Sequence, residues 1–169
     1  MPLKAERRTC IWLKAETASL TKASRFVQDW LSLQEGYRDS RKERYLVELA
    51  AIEACTNIIR YAYPASSPRN FGICLKRAGD TIEVLLLDEG APFDPTTVSS
   101  PELRESQEGG YGIFLMRKIM RSVTYQRRGS RWNCLRLVRE VPRGTVDEDA
   151  KEGLEGLRDR IVSGKEKVR

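Results

Sequence analysis

The order in which apolar residues recur along the chain is the feature that most restricts its fold. Spacings of three and four residues predict helices, whereas short apolar runs bounded by turn residues predict strands. The predicted elements, in chain order, are strand Thr9–Leu13, helices Leu20–Gln34 and Arg41–Ala62, strands Phe71–Lys76 and Thr81–Leu87, helix Gly112–Met120, and strands Val123–Gln126 and Trp132–Val138. This order predicts a two-layer α/β sandwich, with helices on one face of a mixed, mostly antiparallel sheet.

The composition is that of a globular protein, with 40% hydrophobic and 32% charged residues. We expect one domain over residues 1–140 and a charged, partly helical tail over 141–169. No apolar run approaches the roughly 20 residues of a membrane span, and the N-terminus lacks the apolar stretch of a signal peptide. We therefore expect a cytoplasmic protein that does not bind a membrane. The cysteines have no CxxC spacing, and apolar neighbours predict that Cys55 and Cys74 are buried thiols.

The chain contains no histidine. This excludes Ser–His and Cys–His nucleophile systems, the HExxH metal motif and autophosphorylation on histidine. Any general base must therefore be a carboxylate, a lysine or a tyrosine. The net charge of +6 could steer an anion or an acidic protein toward the surface. We find neither a basic stripe with stacking aromatics nor a nucleic-acid motif, so direct nucleic-acid binding is not expected.

Glu53 and Asn57 lie within the largely apolar helical segment Leu49–Ile59. They are four residues apart and therefore share one helix face. A carboxylate and a carboxamide in apolar surroundings need partners. A Mg²⁺ ion, a hydroxyl nucleophile and phosphate would form one such set, with Asn57 as the metal ligand and Glu53 as the base. Neighbouring side chains that satisfy the pair are an equally open alternative.

Asp88, Glu89 and Gly90 follow directly on an apolar strand. A carboxylate at the end of a buried strand can accept a hydrogen bond from an exocyclic amine such as N6 of adenine. Gly90 allows the backbone to approach a planar ring. An aspartate before a turn is also a common structural feature, so this segment alone does not decide the function.

A second glycine segment, Glu108–Gly112, precedes the third predicted helix. Successive glycines at a helix N-terminus offer free backbone N–H groups and the positive end of the helix dipole, which suits phosphate. The segment matches neither GxGxxG nor the P-loop, and such a turn can be purely structural. Prolines and serines fill the stretch before it, and we expect residues 95–108 to form a mobile lid.

Taken together and in order, these three segments resemble the GHKL ATPases. Glu53–Tyr63 is similar to their N box, Asp88–Asp94 to their first glycine box and Glu108–Met116 to their second. The forms DEGxxFD and GGxGIFLM are most similar to those of bacterial anti-sigma-factor serine/threonine kinases. The resemblance covers roughly residues 9–140.

The resemblance implies a Bergerat fold that binds ATP and Mg²⁺. It implies Glu53 as the catalytic base, Asn57 as the magnesium ligand and Asp88 as the adenine reader. The other residues implied in nucleotide binding are Gly90, Gly110, Tyr111, Gly112 and Ile113. As partners it implies a sigma factor, which the protein would sequester, and a STAS-type antagonist, which it would phosphorylate, together with a homodimer.

Two further positions follow from the resemblance. Arg25, in the first helix, matches a basic position used for partner contact, and Tyr61 stands where many relatives have histidine. Two other functions stay open at this point. One is a non-catalytic, ATP-dependent module that binds a partner. The other is a free-standing histidine-kinase-like ATPase domain, whose phosphoacceptor would have to lie in another chain.

Overall fold

The computed structural model describes residues 8–64, 66, 69–94, 97 and 111–142. Five strands and three helices make up this part of the chain. They are β1 Thr9–Lys14, α1 Leu20–Ser32, α2 Arg41–Asn57, β2 Asn70–Ala78, β3 Thr81–Asp88, α3 Tyr111–Ile119, β4 Ser122–Arg128 and β5 Trp132–Glu140. A short 3₁₀ turn, Thr17–Ser19, precedes α1, and a π-helical turn, Ile58–Ala62, continues α2. Residues 143–169 of the predicted tail (141–169), and all of the predicted lid (95–108) except residue 97, lie outside the described residues.

The ends of α2 follow from local chemistry. The Oγ atom of Ser40 accepts a hydrogen bond of 3.2 Å from the backbone N–H of Glu43, which satisfies one of the free donors of the first turn. At the other end, after the π-helical turn that continues α2, the backbone becomes extended at Tyr63, with φ −130° and ψ 147°. The residue before a proline disfavours the helical conformation, and Pro64 follows directly.

The strands form one sheet in the order β1-β2-β3-β5-β4, and all four pairings are antiparallel. The predicted two-layer α/β sandwich is confirmed, but the parallel component of the predicted mixed sheet is absent from the described strands. A parallel pair would have arisen if β4 had paired with β3. The more apolar β5 takes that interior position instead, because it buries Cys134, Leu137 and Val138, whereas β4 buries no residue.

The main core lies between the helices and one face of the sheet. Its sheet side is formed by alternate strand residues, and its helix side by small and branched residues of all three helices. The core includes Phe71, Ile73, Leu75, Ile82, Val84, Leu86 and Leu137 from the sheet, and Ala23, Val27, Leu31, Val47, Ala50, Ala54, Ile113 and Met116 from the helices. None of the described helices is both long enough and apolar enough to cross a bilayer.

The opposite face of the sheet carries a smaller apolar cluster of Cys74, Leu85 and Cys134. Cys74 is joined by a disulfide to Cys10, the residue directly opposite on β1. The prediction that Cys74 is a free thiol is therefore wrong, because it was made without the β1–β2 register that brings the two cysteines together. Cys55 is a buried free thiol, as predicted.

Candidate functional site

Asn57 and Asp88 lie in the same cleft, which is enclosed by the end of α2, the π-helical turn and the end of β3. The cleft is lined by Ala54, Asn57, Ile58, Tyr61, Ala62, Asp88, Ala91, Phe93 and Leu135. Apart from Asn57, Tyr61 and Asp88, these side chains are apolar. A mostly apolar cleft with few polar groups is typical of a site for a flat organic ligand.

Asp88 is largely buried, with only 7% of it exposed, and a fixed set of hydrogen bonds holds its side chain. Its Oδ1 atom accepts from the backbone N–H of Gly90 and from Nδ2 of Asn133, each at 2.8 Å. Among the described residues, no hydrogen bond ends on Oδ2 of Asp88. The second oxygen is therefore the one that a ligand donor can reach, as the adenine interpretation of Asp88 requires.

Gly90 lies against the backbone at the end of the π-helical turn. A Cβ atom at this position would overlap the carbonyl oxygen of Ala62 and would come within 2.6 Å of its Cβ. The neighbouring Ala91 N–H donates to the same carbonyl at 2.8 Å. Only glycine fits here, because the nearest obstacle is backbone and cannot rotate away. The turn after β3 is thereby fixed beside the cleft.

Glu89, between Asp88 and Gly90, anchors the turn from its other side. Its backbone N–H donates to the hydroxyl of Tyr63 at 2.8 Å. Its carboxylate forms ion pairs with Arg131 at 2.5 Å and with Arg69 at 3.9 Å. The backbone of the turn is thus tied to the residue after the π-helical turn, and the Glu89 side chain to the residues directly before β5 and β2.

Glu53 of α2 lies outside the main core and is half-buried. Burial is the main cause that raises the pKa of its carboxyl above the ordinary value of 4.5, and the charge of Arg60 opposes this rise. A Cβ atom at Gly112 would overlap Oε2 of Glu53. The carboxylate therefore lies directly against the first turn of α3, where backbone N–H groups are free to bind an anion.

The remaining predicted residues have mixed outcomes. Tyr111 begins α3 and is 39% exposed, whereas Ile113 is 7% exposed within the main core. Only the backbone of Ile113, and not its side chain, is therefore placed for a ligand. Arg25 is exposed on α1. Gly110 lies outside the described residues.

Four residues that shape the site were not predicted from the sequence: Tyr63, Phe93, Tyr125 and Asn133. The rings of Phe93 and Tyr61 lie 6.0 Å apart and form one wall of the cleft. Asn133 lies directly opposite Asp88 in the β3–β5 register. A polar residue between the apolar Trp132 and Cys134 was the available signal for Asn133, but its partner becomes evident only once that register is known.

The residues present fit a magnesium ion that is held mainly by a phosphate-bearing ligand and less by protein side chains. Within the described ranges there is no group of three or more His, Cys, Asp or Glu side chains that could bind a metal. Asn57 offers a carboxamide oxygen within the cleft. Magnesium commonly takes one or two protein oxygens and completes its shell with phosphate and water. Asn57 would therefore hold such an ion only together with a phosphate-bearing ligand.

Comparison with known proteins places the site in a family context. A family model described as the histidine kinase-like ATPase domain matches residues 13–139. The serine/threonine-protein kinase BtrW of Bordetella bronchiseptica is 36% identical over 104 residues, which cover 59% of this chain and 72% of BtrW. The serine-protein kinase RsbW of Bacillus subtilis is 33% identical over 89 residues, which cover 47% of this chain and 55% of that protein.

The chain thus spans only about half of RsbW but most of BtrW. Among solved structures, a chain of the SiaB–SiaC complex from Pseudomonas aeruginosa superposes with a TM-score of 0.58 at 14% identity, covering 77% of this chain and 88% of that one. At this identity the likeness concerns the fold alone.

Proposed function

Since the chain belongs to the family of histidine kinase-like ATPase domains, we propose that it is an ATP-dependent protein serine/threonine kinase of the anti-sigma type. One observation carries the proposal: Asn57 and Asp88 line one cleft, while Glu53 of the same helix contacts the first turn of α3. The relatives BtrW and RsbW, both named as serine or serine/threonine kinases, support transfer to a hydroxyl group.

In this proposal the nucleotide base enters the cleft beside the β3 turn. Oδ2 of Asp88 accepts a hydrogen bond from the exocyclic amine of adenine, and Gly90 keeps the backbone close to the ring. The aromatic side chains of Tyr61 and Phe93 offer apolar contact. The phosphates extend toward α3, where the backbone N–H groups of Gly110, Tyr111, Gly112 and Ile113 bind them.

The proposed reaction is transfer of the γ-phosphoryl group to a serine or threonine of a partner protein. The hydroxyl oxygen forms a bond to the γ-phosphorus as the bond to the β-phosphate oxygen breaks, and ADP leaves. Glu53 accepts the hydroxyl proton, and its raised pKa makes it a stronger base than an exposed glutamate. Mg²⁺ on Asn57 would supply charge neutralisation at the phosphates.

We propose a sigma factor and a STAS-type antagonist as the protein partners, with the exposed Arg25 of α1 in the contact surface. A homodimer, a cytoplasmic location and the absence of direct nucleic-acid or membrane binding belong to the same proposal. The division into a kinase domain, residues 1–140, and a tail, residues 141–169, also belongs to this proposal. It is supported by the family match, which ends at residue 139.

Calorimetry with ATP in the presence and absence of Mg²⁺ tests the binding half of the proposal. The wild-type protein should bind ATP more tightly with Mg²⁺, and Asn57→Ala should remove that difference. Asn70→Ala is the matched control, because Asn70 is an exposed asparagine at the start of β2. A folded Asn57→Ala protein that keeps the full magnesium effect would contradict the role of Asn57.

A further inference from the structure

Tyrosines apart, Asn133 is the most buried polar residue in the described part of the chain, at 2% exposure. Its Nδ2 atom donates to Oδ1 of Asp88 at 2.8 Å and to the carbonyl oxygen of Gly90 at 3.1 Å. Its Oδ1 atom accepts from the hydroxyl of Tyr125 at 2.8 Å. The buried amide of Asn133 thus joins Asp88 and Gly90 to Tyr125 of β4.

The donors and acceptors of this network fix the direction of the amide. A second, longer contact of 3.4 Å from Nη1 of Arg127 also ends on Oδ1 of Asn133. Rotating the amide by half a turn would face its oxygen toward the Asp88 carboxylate and the Gly90 carbonyl, and its amine toward the Arg127 guanidinium, which is unfavourable for all three.

The same network selects one oxygen of Asp88. Because Asn133 and the N–H of Gly90 both donate to Oδ1, that atom is saturated and Oδ2 is left for a ligand. A carboxylate oxygen fixed in this way accepts from the 6-amino group of adenine. It repels the 6-oxo group of guanine, which is itself an acceptor.

We propose that Asn133 is a positioning residue that sets the preference for adenine over guanine by orienting Asp88, and that Tyr125 fixes Asn133 for this task. The inference rests on the proposed function, since it concerns the base of the nucleotide bound there. Asn133 itself need not touch the nucleotide, because both of its Nδ2 hydrogen bonds go to the turn.

The test compares the dissociation constants of ATP and GTP, measured by calorimetry, for the wild type and three variants. Asn133→Leu replaces the amide with an apolar side chain of the same branching, and Tyr125→Phe removes only the hydroxyl. Gln126→Leu is the matched control, because Gln126 is an exposed amide on β4 beside Tyr125. The unfolding midpoint of each variant is measured in parallel.

The wild type should prefer ATP by about 100-fold or more, since a site built around a hydrogen bond strongly rejects an analogue that cannot form it. Asn133→Leu should lower this preference at least about tenfold, and Tyr125→Phe should lower it by a smaller factor. Gln126→Leu should leave it unchanged. A general loss of stability would weaken the binding of ATP and of GTP by the same factor, so the ratio of their dissociation constants would not change.

Wild-type preference in both Asn133→Leu and Tyr125→Phe would overturn the assignment. If Asn133→Leu does not fold, Tyr125→Phe decides the matter: a lowered ratio supports the assignment, and an unchanged ratio overturns it. A wild-type protein that binds neither nucleotide would instead contradict the proposed function itself. The two failures are therefore distinguishable.

Discussion

A side chain at Gly112 would overlap the carboxylate of Glu53, so the first turn of α3 lies directly against the C-terminal part of α2. The obstacle is the end of a flexible side chain, which can rotate away. Gly112→Ala should therefore displace the carboxylate rather than unfold the protein, since alanine is also the better helix former. A base moved by about 1 Å can lower the rate by about 100-fold.

Gly112→Ala should accordingly lower single-turnover transfer of the γ-phosphate by roughly 10- to 100-fold, while the free energy of unfolding stays within about 1 kcal/mol of wild type. Adding Gly112→Ala to Glu53→Gln should lower the rate no further. If Gly112→Ala lowers the rate of the Glu53→Gln variant by as much as it lowers that of the wild type, Gly112 acts on something other than Glu53.

Gly90→Ala should behave differently, because the obstacle there is the carbonyl oxygen of Ala62 and not a flexible side chain. We expect a destabilisation of about 1–3 kcal/mol in urea unfolding, together with weaker ATP binding. Ala62→Gly should not restore stability, because it leaves the carbonyl in place. Full rescue by Ala62→Gly would show that the Cβ contact, and not the backbone contact, excludes a side chain at Gly90.

The raised pKa of Glu53 predicts opposite effects on rate and on stability. Transfer requires the ionised carboxylate, so its rate should fall with decreasing pH at an apparent pKa above 4.5. In the folded state burial favours the protonated carboxyl, so the contribution of Glu53 to stability is greatest below its unfolded pKa and is lost as pH rises through the folded value. Glu53→Gln should therefore be at least as stable as wild type at pH 7 by urea unfolding. A clear loss of stability at that pH would contradict the burial argument.

The disulfide between Cys10 and Cys74 closes a long loop, because the two cysteines are separated by 64 positions in sequence. Loop-closure entropy puts its stabilisation at up to about 4 kcal/mol. Cys10→Ser should thus lower the melting temperature under oxidising conditions, and reduction should lower that of the wild type toward the same value. Equal melting temperatures for oxidised and reduced wild type would show that the link does not stabilise the native state.

The elements were predictable because their apolar periodicity is strong, as in Val27 and Leu31 of α1, both fully buried. The three polar or glycine-rich segments were also evident in order. What the sequence does not contain is the register between distant strands. That register pairs Asn133 with Asp88 and Cys10 with Cys74, so the network around Asp88 and the disulfide required the fold.

The most direct measurement is transfer of the γ-phosphate of Mg-ATP to STAS-domain proteins of the same organism, followed by mass spectrometry of the modified residue. The wild type should place phosphate on a serine or threonine. Glu53→Gln should bind ATP normally and transfer about 100-fold more slowly, the lower end for a general base. Glu35→Gln, an exposed carboxylate beyond the end of α1, should match the wild type. Normal ATP binding without transfer to any of these proteins, or transfer by Glu53→Gln at the wild-type rate, would contradict the kinase mechanism.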